Sequence, residues 1–288
     1  MFDPRPIHTD GGLHGLAPRA APRDQDGATV ALGRAGRRVS RVGMGALPLS
    51  WEGRPTREAA ERVVHRALEA GITLFDTADS YCLHAGETGH NERLLRHALA
   101  SHPSGRDAVV ATKGGVGRIG ARLEIDGHPW YLRSACEASL RALGVEAIEL
   151  YQLHAPDPRV PFAESVGALA RLRDEGKVRE VGVSNVSRAQ LEEALAVVEV
   201  ASVQNRLNPW DRAAEHSGLL ELCARRGVVF LAHSPLGGAG RVAALRESAA
   251  LAEIGARHGA APAELVLAWL MSMGAAVVPI PGASRPES

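Results

Sequence analysis

Short apolar runs alternate with helical apolar patterns along most of the chain. Runs of four to six mainly aliphatic or glycine residues stand at 42–46, 73–76, 108–112, 148–153, 181–184, 201–204, 229–232 and 277–280. They are too short for helices and read as buried strands. Between them lie segments with apolar residues at helical spacing: 57–70, 91–100, 131–143, 162–175, 188–197, 214–226, 243–258 and 262–273. The first shows the rule, with Ala60, Val63, Val64 and Leu68 on one face and Gly71 as the stop. Pro262 opens the last, where its missing N–H goes unneeded.

Eight strands joined by connections long enough for parallel crossovers predict an α/β fold, a (β/α)8 TIM barrel. An open doubly wound sheet would put a three-glycine dinucleotide turn after its first strand. Here Gly43-x-Gly45 lacks the third glycine. Ahead of the barrel, 29–32 and 38–41 flank Gly33-Arg34-Ala35-Gly36 and predict an N-terminal β-hairpin. Residues 1–27 mix Pro, Gly, Asp and Arg without periodicity and are expected to be a disordered leader, leaving 28–288 as one barrel domain.

Composition narrows the class of partner. Lys plus Arg and Asp plus Glu are equal at 33 each, so the chain lacks the basic footprint of a nucleic-acid or acidic-membrane binder. That balance argues for a small-molecule partner. No run approaches the roughly 20 apolar residues of a membrane span. Cys82, Cys136 and Cys223 are odd in number and far apart, which fits reduced thiols and a cytoplasmic location. Cys82 would be reactive only if exposed and of lowered pKa. His84, Glu87 and His90 do not share a helix face, so no metal site is expected. Glu92 is expected to cap or pair locally.

The chemistry gathers at strand ends. The second strand ends at Asp76, with Tyr81 in its loop; the third ends at Lys113 and the fourth at His154. Adjacent barrel strands bring these four residues around one mouth. A nearby ammonium would favour the phenolate of Tyr81 and lower its pKa from the ordinary ~10. Asp76 would hold Lys113, and His154 would orient a substrate oxygen. Arg206 and Trp210 are candidate pocket contacts.

This set resembles the catalytic tetrad of the aldo-keto reductases. Gly182-Val183-Ser184-Asn185 and Gln204-Asn205 resemble that family's carboxamide-binding motifs, Ser234-Pro235-Leu236-Gly237 its pyrophosphate loop, and Ile280-Pro281-Gly282-Ala283-Ser284-Arg285 its adenosine-phosphate segment. The resemblance runs from Thr29 to the last residue. It implies an NADPH-dependent reductase of aldehydes or ketones, with Tyr81 as general acid. It also implies cofactor contacts at Gly45, Ala46, Asp76, Ser184, Asn185, Gln204, His233, Ser234, Leu236, Gly237, Ser284 and Arg285. Arg285, as the nearest cation for a 2′-phosphate, favours NADPH over NADH.

Gly114-Gly115 and Tyr151-Gln152-Leu153-His154-Ala155-Pro156-Asp157 resemble bacterial reductases of pyridoxal or aryl aldehydes. Two departures from the family pattern stand out. His233 occupies a position where the family commonly has an aromatic residue. The chain also stops at Ser288 before the family's Arg-x-x-Glu-Asn stretch, so it is expected to be C-terminally truncated and to lack the last outer helix. The rivals are a non-catalytic nicotinamide-binding regulatory barrel and an alcohol dehydrogenase working mainly toward oxidation. The sequence leaves open whether the chain forms an oligomer.

Overall fold

The computed structural model describes residues 28–287; the expected leader, 1–27, lies outside the described residues. The chain opens with an antiparallel hairpin, β1 (Thr29–Leu32) and β2 (Arg37–Ser40). Eight parallel strands follow: β3 (Met44–Gly45), β4 (Leu74–Asp76), β5 (Val109–Gly114), β8 (Ile148–Leu153), β9 (Val178–Ser184), β10 (Val200–Arg206), β11 (Val229–His233) and β12 (Val277–Pro279). The crossovers carry α1 (Arg57–Glu69), α2 (His90–Ala100), α3 (Pro129–Leu143), α4 (Phe162–Asp174), α5 (Arg188–Val197), α6 (Ala213–His216), α7 (Leu219–Arg226), α8 (Ala239–Glu247), α9 (Ala249–His258) and α10 (Pro262–Ser272).

The sheet is closed into a barrel by its first and last strands. Gly43 N donates to Pro279 O at 3.0 Å and Gly45 N to Pro281 O at 2.9 Å, and Gly45 bridges Gly282 in parallel. Glycine is required here by close approach. A Cβ on Gly45 would stand 2.9 Å from Ile280 O, and one on Gly43 2.9 Å from Ile280 Cγ2. The hairpin plugs the opposite end. Leu32 and Val39 pack with Leu74, Val109, Leu150, Val229 and Val278 in one buried cluster inside the strands. That leaves the carboxyl ends of the strands as the mouth.

Three elements and one side chain differ from their expected form. The long loop after β5 contains a second antiparallel hairpin, β6 (Val116–Ile119) and β7 (Arg122–Ile125). Its turn is Gly120-Ala121, with Gly120 at φ +62. The single helix expected over 214–226 is two, α6 and α7, broken at Gly218 with φ +73. The helix expected over 243–258 is likewise α8 and α9, separated by Ser248, whose hydroxyl caps Leu251 N. Glu92 does not cap locally. It is buried on α2 and accepts from Thr112 Oγ1 on β5 at 2.6 Å, tying helix to sheet.

Gly45→Val forces a side chain into the closing seam. It should cost about 1–3 kcal/mol, the usual range for overpacking, read as a lowered urea midpoint.

Candidate active site

Alternation along β5 explains how a lysine enters a barrel. Residues two apart share a face, so Lys113 points the same way as Ala111, a member of the interior cluster. Its neighbour strand β4 pairs Asp76 with Ala111. The ammonium is fully buried, and all three of its N–H groups are used. Nζ donates to Asp76 Oδ2 at 2.7 Å, to Thr77 O at 2.8 Å and to Tyr81 Oη at 2.9 Å. Because the Tyr81 oxygen accepts from Lys113, its own O–H is left to donate elsewhere. The second oxygen of Asp76 accepts from Gln204 Nε2 at 2.6 Å, across the barrel on β10.

The proton inventory follows from burial and charge. Burial pulls Lys113 down, but Asp76 and Tyr81 outweigh it, and the net direction is up; it is an ammonium. Tyr81 departs from expectation. Burial pushes the phenol up more than Lys113 draws it down, so the net shift is upward and the group is a neutral phenol. His154 is held well below an ordinary imidazole, first by burial and then by the Lys113 charge, and is neutral. Its ring meets the Tyr81 ring edge-on, with centroids 5.9 Å apart. His154 Nδ1 is buried without a partner. A lone pair without a partner is tolerated better than an N–H, which puts the ring proton on Nε2.

The expected cofactor residues divide into three groups. Ser184, Asn185, His233 and Ser234 form one connected rim beside His154. Ser184 Oγ donates to Gln204 O at 2.7 Å, and Asn185 Nδ2 donates to His154 O at 2.9 Å. Asn185 Oδ1 stands 3.3 Å from His233 Nε2, and His233 Nδ1 3.1 Å from Ser234 Oγ. Asn185 and Ser234 are the two non-glycine residues at positive φ among those described, +57 and +49. Backbone strain of this kind concentrates at functional sites. His233 is neutral, pushed down to about 3 by burial and then by Arg206.

The second group, Gly45 and Ala46, lies buried in the closing seam, where Ala46 N donates to Asp76 O at 2.8 Å. The third is spread along the β11 and β12 ends. Leu236 packs on the main core, Gly237 turns back on Ser234 O with its Cα against the Trp210 ring, Ser284 is half-buried and Arg285 exposed.

Several contributing residues were not anticipated. Asn91 accepts from Thr77 Oγ1 and donates to Ala46 O and Ser50 Oγ, fixing the loop that carries Tyr81. Asp79 is buried with one oxygen unpartnered and is pushed well up, by burial and then by Glu92. Arg118 on the second hairpin stacks 4.6 Å over the Trp51 ring. Alternating Val116, Arg118 and Leu123, Ile125 around Gly120 is the signal that marks that hairpin. Cys82 is buried and its thiol pushed up, the reverse of a reactive thiol. Glu87 is taken by both ends of Arg54, and His90 by Ser50.

The closed parallel barrel thus carries, at its carboxyl-end mouth, a buried Lys–Asp pair against a neutral phenol and a neutral imidazole. The Aldo/keto reductase family description matches residues 41–288, and the chain belongs to that family. It is 35% identical over 286 residues to a probable aldo-keto reductase 1 of Glycine max, covering 89% of this chain and 80% of that one. Its fold is similar to a glycerol dehydrogenase of Gluconobacter oxydans, with TM-score 0.80 and 27% identity over 91% of this chain and 88% of that one. It is also similar to an aldo-keto reductase of Klebsiella pneumoniae solved with NADPH, with TM-score 0.73 and 26% identity over 90% and 86% of the two chains.

Glu92 is pushed up from 4.5, chiefly by burial. A carboxyl raised in the folded state binds more protons there than when unfolded, so its contribution to stability falls as pH rises from about its unfolded pKa. Glu92→Gln, which keeps the Thr112 bond, should therefore gain stability relative to the parent at pH 8 compared with pH 5, measured by urea unfolding.

Proposed function

We propose that this enzyme reduces an aldehyde or ketone to an alcohol with NADPH, Tyr81 serving as the general acid. The observation that carries the reading is the single ammonium of Lys113 held between Asp76 and Tyr81, with His154 edge-on to the same phenol. Reduction adds a hydride to the carbonyl carbon and a proton to its oxygen. A bound reduced nicotinamide supplies the hydride. The phenol supplies the proton, since its oxygen accepts from Lys113 and its O–H is available. As the proton leaves, negative charge grows on Tyr81 next to a permanent ammonium, which stabilises that charge without rearrangement. His154, neutral with its proton on Nε2, donates to the carbonyl oxygen and orients it. Lys113 and Asp76 touch neither reacting atom and act through Tyr81.

The residues present suit an anionic dinucleotide. On the β10 to β12 side of the mouth, Arg206 and Arg241 are half-buried and Arg285 is exposed, and none of the three pairs with a carboxylate among the described residues. Gln204 and Arg206, two apart on β10, share a face, so Arg206 stands on the mouth side of Gln204 and beside His233. Ser184, Asn185 and His233 would hold the nicotinamide end; Ser234 to Gly237 with Arg241 would meet the phosphates. The Klebsiella pneumoniae reductase, solved with NADPH, supports that choice of cofactor. Pyridoxal and aryl aldehydes are the first substrates to try, from the resemblance of the β5 and β8 ends to reductases of those compounds.

Tyr81→Phe should lower the reduction rate by about 10²–10⁴, the usual worth of a positioned acid, while NADPH still binds. Turnover near the parent rate, followed by nicotinamide absorbance, would remove Tyr81 from the mechanism. Because Tyr81 is raised above 10, reduction should persist to high pH and the reverse oxidation should climb with pH. Arg285→Ala should weaken NADPH about ten-fold, the worth of one charge-assisted contact, and leave NADH unchanged, as measured by calorimetric titration.

A further inference from the structure

Of the seven half-buried arginines described, three carry a carboxylate: Arg54 pairs with Glu87, Arg173 with Asp174 and Arg212 with Glu215. Arg41, Arg206 and Arg241 do not, and nor does Arg118, among the described residues. It is half-buried on β6, at the rim of the mouth. Its Nε donates to Ser80 O at 3.2 Å, and another of its nitrogens donates to Ala121 O. Its guanidinium lies 4.6 Å over the ring of Trp51. The nearby Cys82 thiol is kept protonated by burial and supplies no compensating charge. A guanidinium fixed by stacking and by backbone carbonyls is pre-organised, so it loses little freedom when it binds an anion.

Its position decides which anion. Trp51 lies in the loop after β3, Ser80 immediately precedes Tyr81 after β4, and Arg118 follows Lys113 after β5. All three belong to the first three barrel strands. The rim of Ser184, Asn185, His233 and Ser234 belongs to the fifth and seventh, as do its neighbours Arg206 and Arg241 to the sixth strand and the loop after the seventh. Arg118 therefore stands next to the Tyr81 loop and across the barrel mouth from His233 and Ser234 at the end of the seventh strand, with Gly45 and Ala46 two strands away on the first.

We propose that Arg118, stacked on Trp51, selects carbonyl substrates that carry a carboxylate. The proposal rests on the reading of this site as a carbonyl reductase. Planar guanidinium matches carboxylate in a two-point contact.

The test compares each acid with its methyl ester, which keeps the framework and removes the charge. Succinic semialdehyde, 3-carboxybenzaldehyde and 4-carboxybenzaldehyde, with their esters, would be assayed with NADPH on the parent and on Arg118→Gln and Arg118→Lys. In the parent at least one acid should exceed its ester in kcat/KM by about ten-fold, the worth of one charge-assisted contact. Arg118→Gln should bring that ratio close to one, and Arg118→Lys should restore part of it. Esters reduced as well as every acid, or an acid-to-ester ratio untouched by Arg118→Gln, would overturn the proposal while leaving carbonyl reduction intact. Calorimetric titration of the NADPH-loaded protein with terephthalate and its dimethyl ester gives a second readout. Terephthalate bound through Arg118 without turnover of any aldehyde would uphold the anion site and defeat the reductase reading instead.

Discussion

A buried ammonium sets the terms for the rest of this structure. Placing Lys113 inside a barrel of aliphatic side chains carries a desolvation penalty of several kcal/mol, and it is tolerated because all three N–H groups reach an acceptor. Those acceptors must come from the neighbouring strand and the loop beyond it. The β4–β5 register therefore has to set Asp76 opposite Ala111, and the loop has to fold Tyr81 back over the ammonium. Gln204 completes the arrangement by holding the other oxygen of Asp76 from across the barrel. Closure between Gly43–Gly45 and Pro279–Gly282 is what lets residues from the second and sixth strands meet.

Charge around the mouth is unevenly placed. The interior is neutral overall around Lys113 and Asp76, with Tyr81, His154 and His233 uncharged by burial. Four arginines that pair with no carboxylate among the described residues stand outside that centre. Arg206, Arg241 and Arg285 lie on the side of the later strands, and Arg118 lies on the side of the earlier ones. The formal balance of 33 against 33 conceals this separation, because composition records totals and function depends on where the charges stand.

Much of the architecture was legible in the order of short apolar runs and amphipathic segments, since each strand of a parallel barrel is buried on both faces and each helix on one. The tetrad residues were legible because each stands at or just past a strand end. What escaped notice had weak local signals. The β6–β7 hairpin alternates over only four residues a side, and charged residues fill its outer positions. Gly218 and Ser248 break helices inside patterns that otherwise continue. Glu92 reads as a first-turn acid at a helix start, yet α2 turns it inward onto Thr112.

The sequence by itself determined the eightfold alternation, the N-terminal hairpin, and the presence of Asp76, Tyr81, Lys113 and His154 at successive strand ends. These depend on periodicity and on residue chemistry, both of which are local. Tertiary structure alone decided the protonation of the site. An ammonium beside a phenol predicts a lowered pKa, but the phenol is also buried, and desolvation outweighs the charge. It also decided that Gln204 serves Asp76, and that Arg118 stands on an indole without a counter-ion among the described residues. Burial and the sum of surrounding charges depend on every element packed around a group, and no stretch of chain carries that information before the barrel closes.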